Sequence, residues 1–194
     1  MSRGGARPSA AAAEAAGAPS RQEESRSIEE HRREAPREVA TAVVTVSDTR
    51  TLEDDTGGRL IVELLEGAGH PVVSRVIVKD EPAQIAEALE GAASRPEVRA
   101  VIVTGGTGVA PRDVTPDAIE PLLDRTIPGF GELHRMLSYQ EIGSAALLSR
   151  ALAGLKDGRV VFALPGSRGA IRLAMEKLIL PELGHLVAQA VKKR

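Results

Sequence analysis

Four short apolar runs, rich in β-branched residues, set the frame of this chain: Val39 to Val46, Val72 to Val78, Val98 to Thr104 and Val160 to Leu164. Each is strand length, and the stretches between them carry helical periodicity. That alternation predicts parallel strands joined by crossover helices, and so an α/β fold. The first run is apolar on both faces, as a central strand covered on both sides must be. After it, Asp55 and Thr56 can cap a helix with Leu60, Ile61, Leu64 and Leu65 on its inner face and Gly67 and Gly69 at its end. Asp80, Glu81 and Pro82 predict the next helix start, with Ile85 and Leu89 facing inward. Thr115 is the expected cap of a helix whose first position is Pro116. Two more helical stretches are expected between Gly129 and Leu155, punctuated by Gly143, and a last helix runs from Ile171 to Val191 with a kink or break at Pro181.

The chain has 194 residues, 42% of them hydrophobic, which suffices for one buried domain and is short for two. From Met1 to Glu38 the only large aliphatic residue is Ile28. So little apolar surface does not offset the entropy of ordering, and residues 1–38 are expected to form a disordered tail before a domain spanning 39–194. A net charge of -2 and 2% aromatic residues leave neither the basic footprint nor the stacking platforms of a nucleic-acid binder. No apolar run reaches the roughly 20 residues of a membrane-spanning helix. There is no cysteine, which excludes disulfides and thiolate metal sites and fits a reducing, cytoplasmic setting.

Open α/β sheets bind ligands at the carboxyl ends of their strands. Three of the loops expected there are rich in small and polar residues. After the third strand, Gly105, Gly106, Thr107 and Gly108 give a backbone that can approach an anion closely, although a tight turn with no ligand has the same spacing. Neither the dinucleotide fingerprint nor the P-loop pattern is present, which disfavours a dinucleotide oxidoreductase or a P-loop hydrolase. Asp113 follows the glycines, and Asp80 sits at an equivalent junction. If their loops are neighbours, one Mg²⁺ can bridge both carboxylates and a polyphosphate. The plainer alternatives are that Asp80 caps its helix and that Asp113 pairs with Arg112 or Arg50. Ser47, Asp48, Thr49 and Arg50 offer hydroxyls and a guanidinium suited to phosphate, or simply an exposed polar loop. Ser149 and Arg150 either extend the anion site or lie on an ordinary helix surface.

His31, His70, His134 and His185 have no partner at metal-ligand spacing, and no nucleophile elbow is present. A reaction whose nucleophile is already ionised near neutral pH needs no histidine base. A phosphate monoester, with its second pKa of about 6, meets that condition. Phosphoryl and nucleotidyl transfer rely mainly on positioning and charge neutralisation, which glycine loops, arginines and Mg²⁺ supply.

Taken in order, "TVSDTR", "EDDTGG", "VKDEPAQI", "VTGGTG", "RDVTPDAI", "PGFGELHRMLSYQEIGSAALLSRALAG" and "FALPGS" cover nearly all of residues 39–191. Together they resemble the MoaB/Mog family of molybdenum cofactor biosynthesis, and the long "PGFGELHRMLSYQEIG" segment is closer to the MoaB branch. The resemblance implies a three-layer α/β/α sandwich with a mostly parallel sheet, assembled as a homotrimer or hexamer. It also implies adenylylation of molybdopterin, in which the pterin's terminal phosphate attacks the α-phosphate of Mg-ATP and releases pyrophosphate. Carried over by motif, Asp80 and Asp113 match the two aspartates linked to Mg²⁺ and the reacting phosphates. Gly105, Gly106, Thr107, Gly108, Pro165, Gly166 and Ser167 match segments lining the nucleotide and pterin site, and Ser47, Asp55 and Ser149 match further pocket positions. Arg112 and Arg150 are weaker matches, and Asp48 and Glu81 read as capping residues.

Mog-type domains usually carry Pro-Gly-x-Pro where this chain has Pro165-Gly166-Ser167-Arg168, a change that bears on the shape of the pocket. Retention of both aspartates fits catalytic competence. The rival reading is a non-catalytic molybdopterin-binding or assembly protein that serves other enzymes of the same pathway.

Overall fold

A computed structural model describes residues 35–192, all within one unit spanning 34–194. The expectation of a disordered tail falls almost wholly outside the described residues. Six strands form one sheet: β1 (Thr41–Val46), β2 (Val72–Val78), β3 (Ala100–Thr104), β4 (Arg125–Thr126), β5 (Leu152–Lys156) and β6 (Arg159–Leu164), in the order β2-β1-β3-β6-β5-β4. The first four in that order are parallel, and β5 and β4 continue the sheet antiparallel.

The period of two along the central strands divides the core between the two faces. Val43, Ile102, Phe162 and Leu164 pack against α1 (Thr56–Gly67) and the C-terminal helices. Val44, Val101, Val103 and Val161 turn the other way, onto α2 (Pro82–Ala93) and α3 (Thr115–Ile119), where Ile85, Leu89 and Ile119 meet them. The result is the three-layer sandwich, mostly parallel, that the sequence predicts.

The four expected strands are present, and two more were not foreseen. Ala151 to Leu155 was expected to be helical, with Ser149 and Arg150 on a helix surface. After α4 (Pro128–Ile142) and a 3-10 turn (Gly143–Leu148), this stretch is instead strand β5. Its cause lies just beyond, where Asp157 and Gly158 both take positive φ, 49° and 73°, and turn β5 back onto β6 in a two-residue hairpin. The small residues of β5 leave room for β4: a Cβ on Gly154 would lie 2.6 Å from the Arg125 carbonyl.

The last helix runs from α5 (Arg168–Ala174) into α6 (Leu180–Ala190), and Pro181 does not break it. A π-helical turn, Met175–Ile179, precedes the proline and widens the backbone where its ring and missing N–H disturb the regular ladder. Among the described residues no helix is long and apolar enough to cross a membrane.

Candidate functional site

The loops after β1, β2, β3 and β6 meet at one end of the sheet, and short backbone bonds tie them together. Ser47 N–H donates to the Val78 carbonyl at 2.8 Å, and Gly105 N–H to that of Leu164 at 3.0 Å. The Thr104 hydroxyl donates to the Pro165 carbonyl at 3.2 Å. Gly105, at φ 105°, presses so closely on the Val46 carbonyl that no side chain fits, and Gly166 packs against it too, a Cβ built there lying 3.4 Å from Gly105 Cα. Ser47, Asp55, Gly105 and Gly166, with Arg50, line a single small cavity at this junction.

Asp55 caps α1 as expected. It is 1% exposed, and its carboxylate is fully occupied. One oxygen accepts from Gly58 N–H at 2.8 Å, and the other from the Thr45 hydroxyl at 2.7 Å and from Arg75 at 2.9 Å. Burial alone would raise this carboxyl, but the Gly58 amide, Arg75 and Thr45 outweigh it and hold it below its ordinary value. Asp55 therefore anchors the cavity wall. The sequence gave no sign of Arg75, which projects from a strand residue with no local motif.

Asp80 does not cap α2. The cap position belongs to Glu81, which makes no capping bond, so the Asp80 carboxylate is free to turn toward the glycine loop. A Cβ built on Gly106 would lie 2.8 Å from Asp80 Oδ1, and one on Gly108 would lie 2.5 Å from Asp113 Oδ2. The two aspartates thus border the same loop two residues apart, each delivered by a different crossover. Burial, then the charge of Asp48 and, more weakly, that of Asp113, push the Asp80 carboxyl up against the opposing pull of Arg112.

Asp113 pairs with neither Arg112 nor Arg50. Its side chain accepts from Ala110 N–H at 2.9 Å within its own turn, while Arg50 donates to the Asp54 carbonyl. Arg112 reaches across the rim instead. Its guanidinium is held by both oxygens of Asp48, at 2.8 and 2.6 Å, and by Glu81 at 2.9 Å. The hydrogen bonds from Arg112 hold Asp48 below its ordinary value. Asp48 and Glu81, read from sequence as caps, are counterions that join the loops after β1, β2 and β3.

Arg150, the weaker candidate for an anion ligand, is spent on the protein itself. Its backbone N–H donates to the Thr107 carbonyl at 2.9 Å and its Nε to that of Gly108 at 2.7 Å. One terminal nitrogen reaches the Asp113 carbonyl, and the other pairs with Asp117 at 2.9 Å. Arg150 is a clamp on the glycine loop, and Asp117, which sequence reasoning passed over, is its counterion. Ser149 turns its hydroxyl toward Ala151 N–H in its own turn, and Ser167 caps α5 through Ala170 N–H at 3.3 Å. A roomier groove runs between β2 and α2, lined by Ser74, Val76, Gln84 and Arg95, but it contains neither the glycine loop nor the aspartate pair.

Comparison with known proteins follows the same outline. A family model described as a probable molybdopterin binding domain matches residues 42–185. The molybdenum cofactor biosynthesis protein B of Halalkalibacterium halodurans is 52% identical over 169 residues, 87% of this chain and 99% of its own length. Among solved structures, one of a molybdenum cofactor biosynthesis protein B superposes with a TM-score of 0.80 at 52% identity, covering 82% of this chain and 99% of that one. The tungsten cofactor synthesizing protein MoaB from Pyrococcus furiosus follows at a TM-score of 0.74 and 37% identity, covering 81% and 100%. Matched in sequence and in fold across nearly all of its described length, the chain belongs to the MoaB/Mog family of molybdenum cofactor biosynthesis, on the MoaB branch.

Proposed function

We propose that this member of a molybdenum cofactor biosynthesis family is a molybdopterin adenylyltransferase, working in the cytoplasm. The observation that carries the reading is the placement of Asp80 and Asp113 on one glycine loop, from two separate crossovers. Among the described residues no group of three or more His, Cys, Asp or Glu side chains is arranged to hold a metal ion. Two carboxylates make a partial shell of hard oxygen, and magnesium bound with a polyphosphate uses one or two carboxylates and completes its shell with phosphate and water. The donor set fits that ion. When bound, magnesium would neutralise the phosphate oxygens and hold them in line.

The remaining work falls to the chain itself. The loop from Gly105 to Gly108 would cradle the incoming phosphate with backbone beyond the Gly105 N–H, which is already bonded to the Leu164 carbonyl, and Arg150 keeps that backbone in place through the Thr107 and Gly108 carbonyls. Arg50, Ser47 and Gly166 bound the adjoining cavity. An oxygen of the molybdopterin phosphate forms a bond to the α-phosphorus of ATP, the bond from that phosphorus to the β-bridging oxygen breaks, and pyrophosphate leaves with the electron pair. Because the attacking phosphate is ionised near neutral pH, no general base is required. His134 is therefore not needed for this step. It lies on the buried face of α4, and that burial pushes its imidazole below its ordinary value.

Supplying molybdopterin, ATP and Mg²⁺ should yield adenylyl-molybdopterin and pyrophosphate in equal amounts. Asp80→Asn and Asp113→Asn should each lower turnover by at least about 100-fold, the scale of losing a main electrostatic element. Wild-type rates in both variants would overturn the reading and leave a molybdopterin-binding or assembly protein in its place.

A further inference from the structure

One buried hydroxyl at the site has no use in the protein as it stands. Thr115 is 0% exposed, and its Oγ1 has no hydrogen-bond partner within the protein. It does not cap α3, as the sequence suggests it should. The cap position is Val114, and Thr115 is already inside the first turn. Its backbone N–H is engaged, donating to the Gly106 carbonyl at 3.0 Å, so the residue is fixed against the glycine loop while its hydroxyl is left over. Most buried polar atoms in native proteins are paired, and one that is not calls for a reason.

The surroundings supply one. Gly106 has φ 61°, and the position of a Cβ there lies 2.5 Å from Thr115 Oγ1 and 2.8 Å from Asp80 Oδ1. A hydroxyl and a carboxylate oxygen therefore look onto the same small space, which is open because residue 106 has no side chain. The other unpartnered buried atoms, on Arg75, His134 and Arg159, include none that shares this space. Thr115 has no exposed surface through which to touch a ligand directly, so it can act only through a neighbour.

We propose that Thr115 is a positioning residue for Asp80: its hydroxyl donates to the carboxylate as Asp80 swings in over Gly106 to hold a divalent cation. This rests on the reading of Asp80 as a cation ligand. The hydroxyl fixes one carboxylate oxygen and leaves the other to the cation, as hydrogen bonds to metal-binding carboxylates commonly do. Gly106 provides the space in which the two meet.

The test is Mn²⁺ titration of the full chain, with the free ion followed by electron paramagnetic resonance and unfolding followed by calorimetry. Thr115→Val keeps the shape and removes the hydroxyl, and Thr115→Ser keeps the hydroxyl. Thr115→Val should bind Mn²⁺ about 10-fold more weakly than wild type, and Thr115→Ser should restore the affinity. Because the hydroxyl has no partner in the free protein, the Tm of Thr115→Val should be unchanged or raised, which a purely structural threonine would not give. Wild-type Mn²⁺ affinity in Thr115→Val, or a Thr115→Ser as weak as Thr115→Val, overturns the proposal. Asp80→Asn separates the two levels. If it binds as wild type does, the cation assignment fails and this inference with it; if it binds weakly while Thr115→Val does not, only the role of Thr115 fails.

Discussion

Asp55 and Gly105 show how single residues shape the cavity they line. The Asp55 carboxylate gathers a hydroxyl, a helix-start amide and a guanidinium, so truncating it strands three donors at once. Asp55→Ala should cost about 2–4 kcal/mol of stability, measured as a shift in the urea midpoint. Its pH dependence has a definite sign. The folded carboxyl sits below its unfolded value, so its contribution is complete above that value, near 3.9, and is lost as pH falls through the folded one. The urea midpoint of the wild type should begin to drop below about pH 4, and Asp55→Asn should remove part of that drop. Gly105→Ala should cost about 3 kcal/mol by the same measurement, since a side chain there meets both an unfavourable φ and the Val46 carbonyl.

Arg150 works at the scale of elements, since it joins the start of β5 to the loop after β3 and to Asp117 in α3. A lysine carries the charge but not the fork of donors. Arg150→Lys should therefore lower kcat for adenylyl transfer about 10–100-fold, as a small misplacement of a site does, while thermal denaturation shows the fold intact. This clamp was only half legible in the sequence. The four strands with predominantly apolar runs could be read, because their apolar pattern and their place in the sheet agree. Strand β5 could not, because its Leu-Ala-Gly stretch carries no strand pattern in isolation, Gly154 being held bare by the Leu123 side chain and the Arg125 carbonyl, which belong to a distant segment. The Asp157-Gly158 pair was the available signal. The glycine loop and Asp113 could be read because their spacing is local, whereas Asp80 comes from an earlier crossover and could be joined to them only on the condition that the two loops are neighbours. The oppositely charged partners of Arg112, Arg150 and Asp55 lie 20 to 64 residues away, and only the fold brings them close.

At the scale of the whole molecule, the described residues include an apolar patch on α4 and the turn after it that the layers leave exposed. Leu133, Met136, Tyr139 and Ile142 on α4 and Leu147 and Leu148 after it are all exposed, from 46% to 79%. Apolar patches of this kind mark protein contacts, and the homotrimer or hexamer that the family resemblance implies would give them a partner. Met136→Glu combined with Leu147→Glu should shift the mass measured by light scattering toward the monomer, without lowering the helical content seen by circular dichroism. At the opposite scale of exposure, Arg112 spans the ends of three adjacent strands from a position 58% open to solvent, with partners 38% and 48% open. Such pairs weaken as salt screens them. The mouth of the pocket is therefore laced by a charged cord laid over its backbone ties, and adding salt slackens that cord at all three loops together, where a hinged flap would release only one.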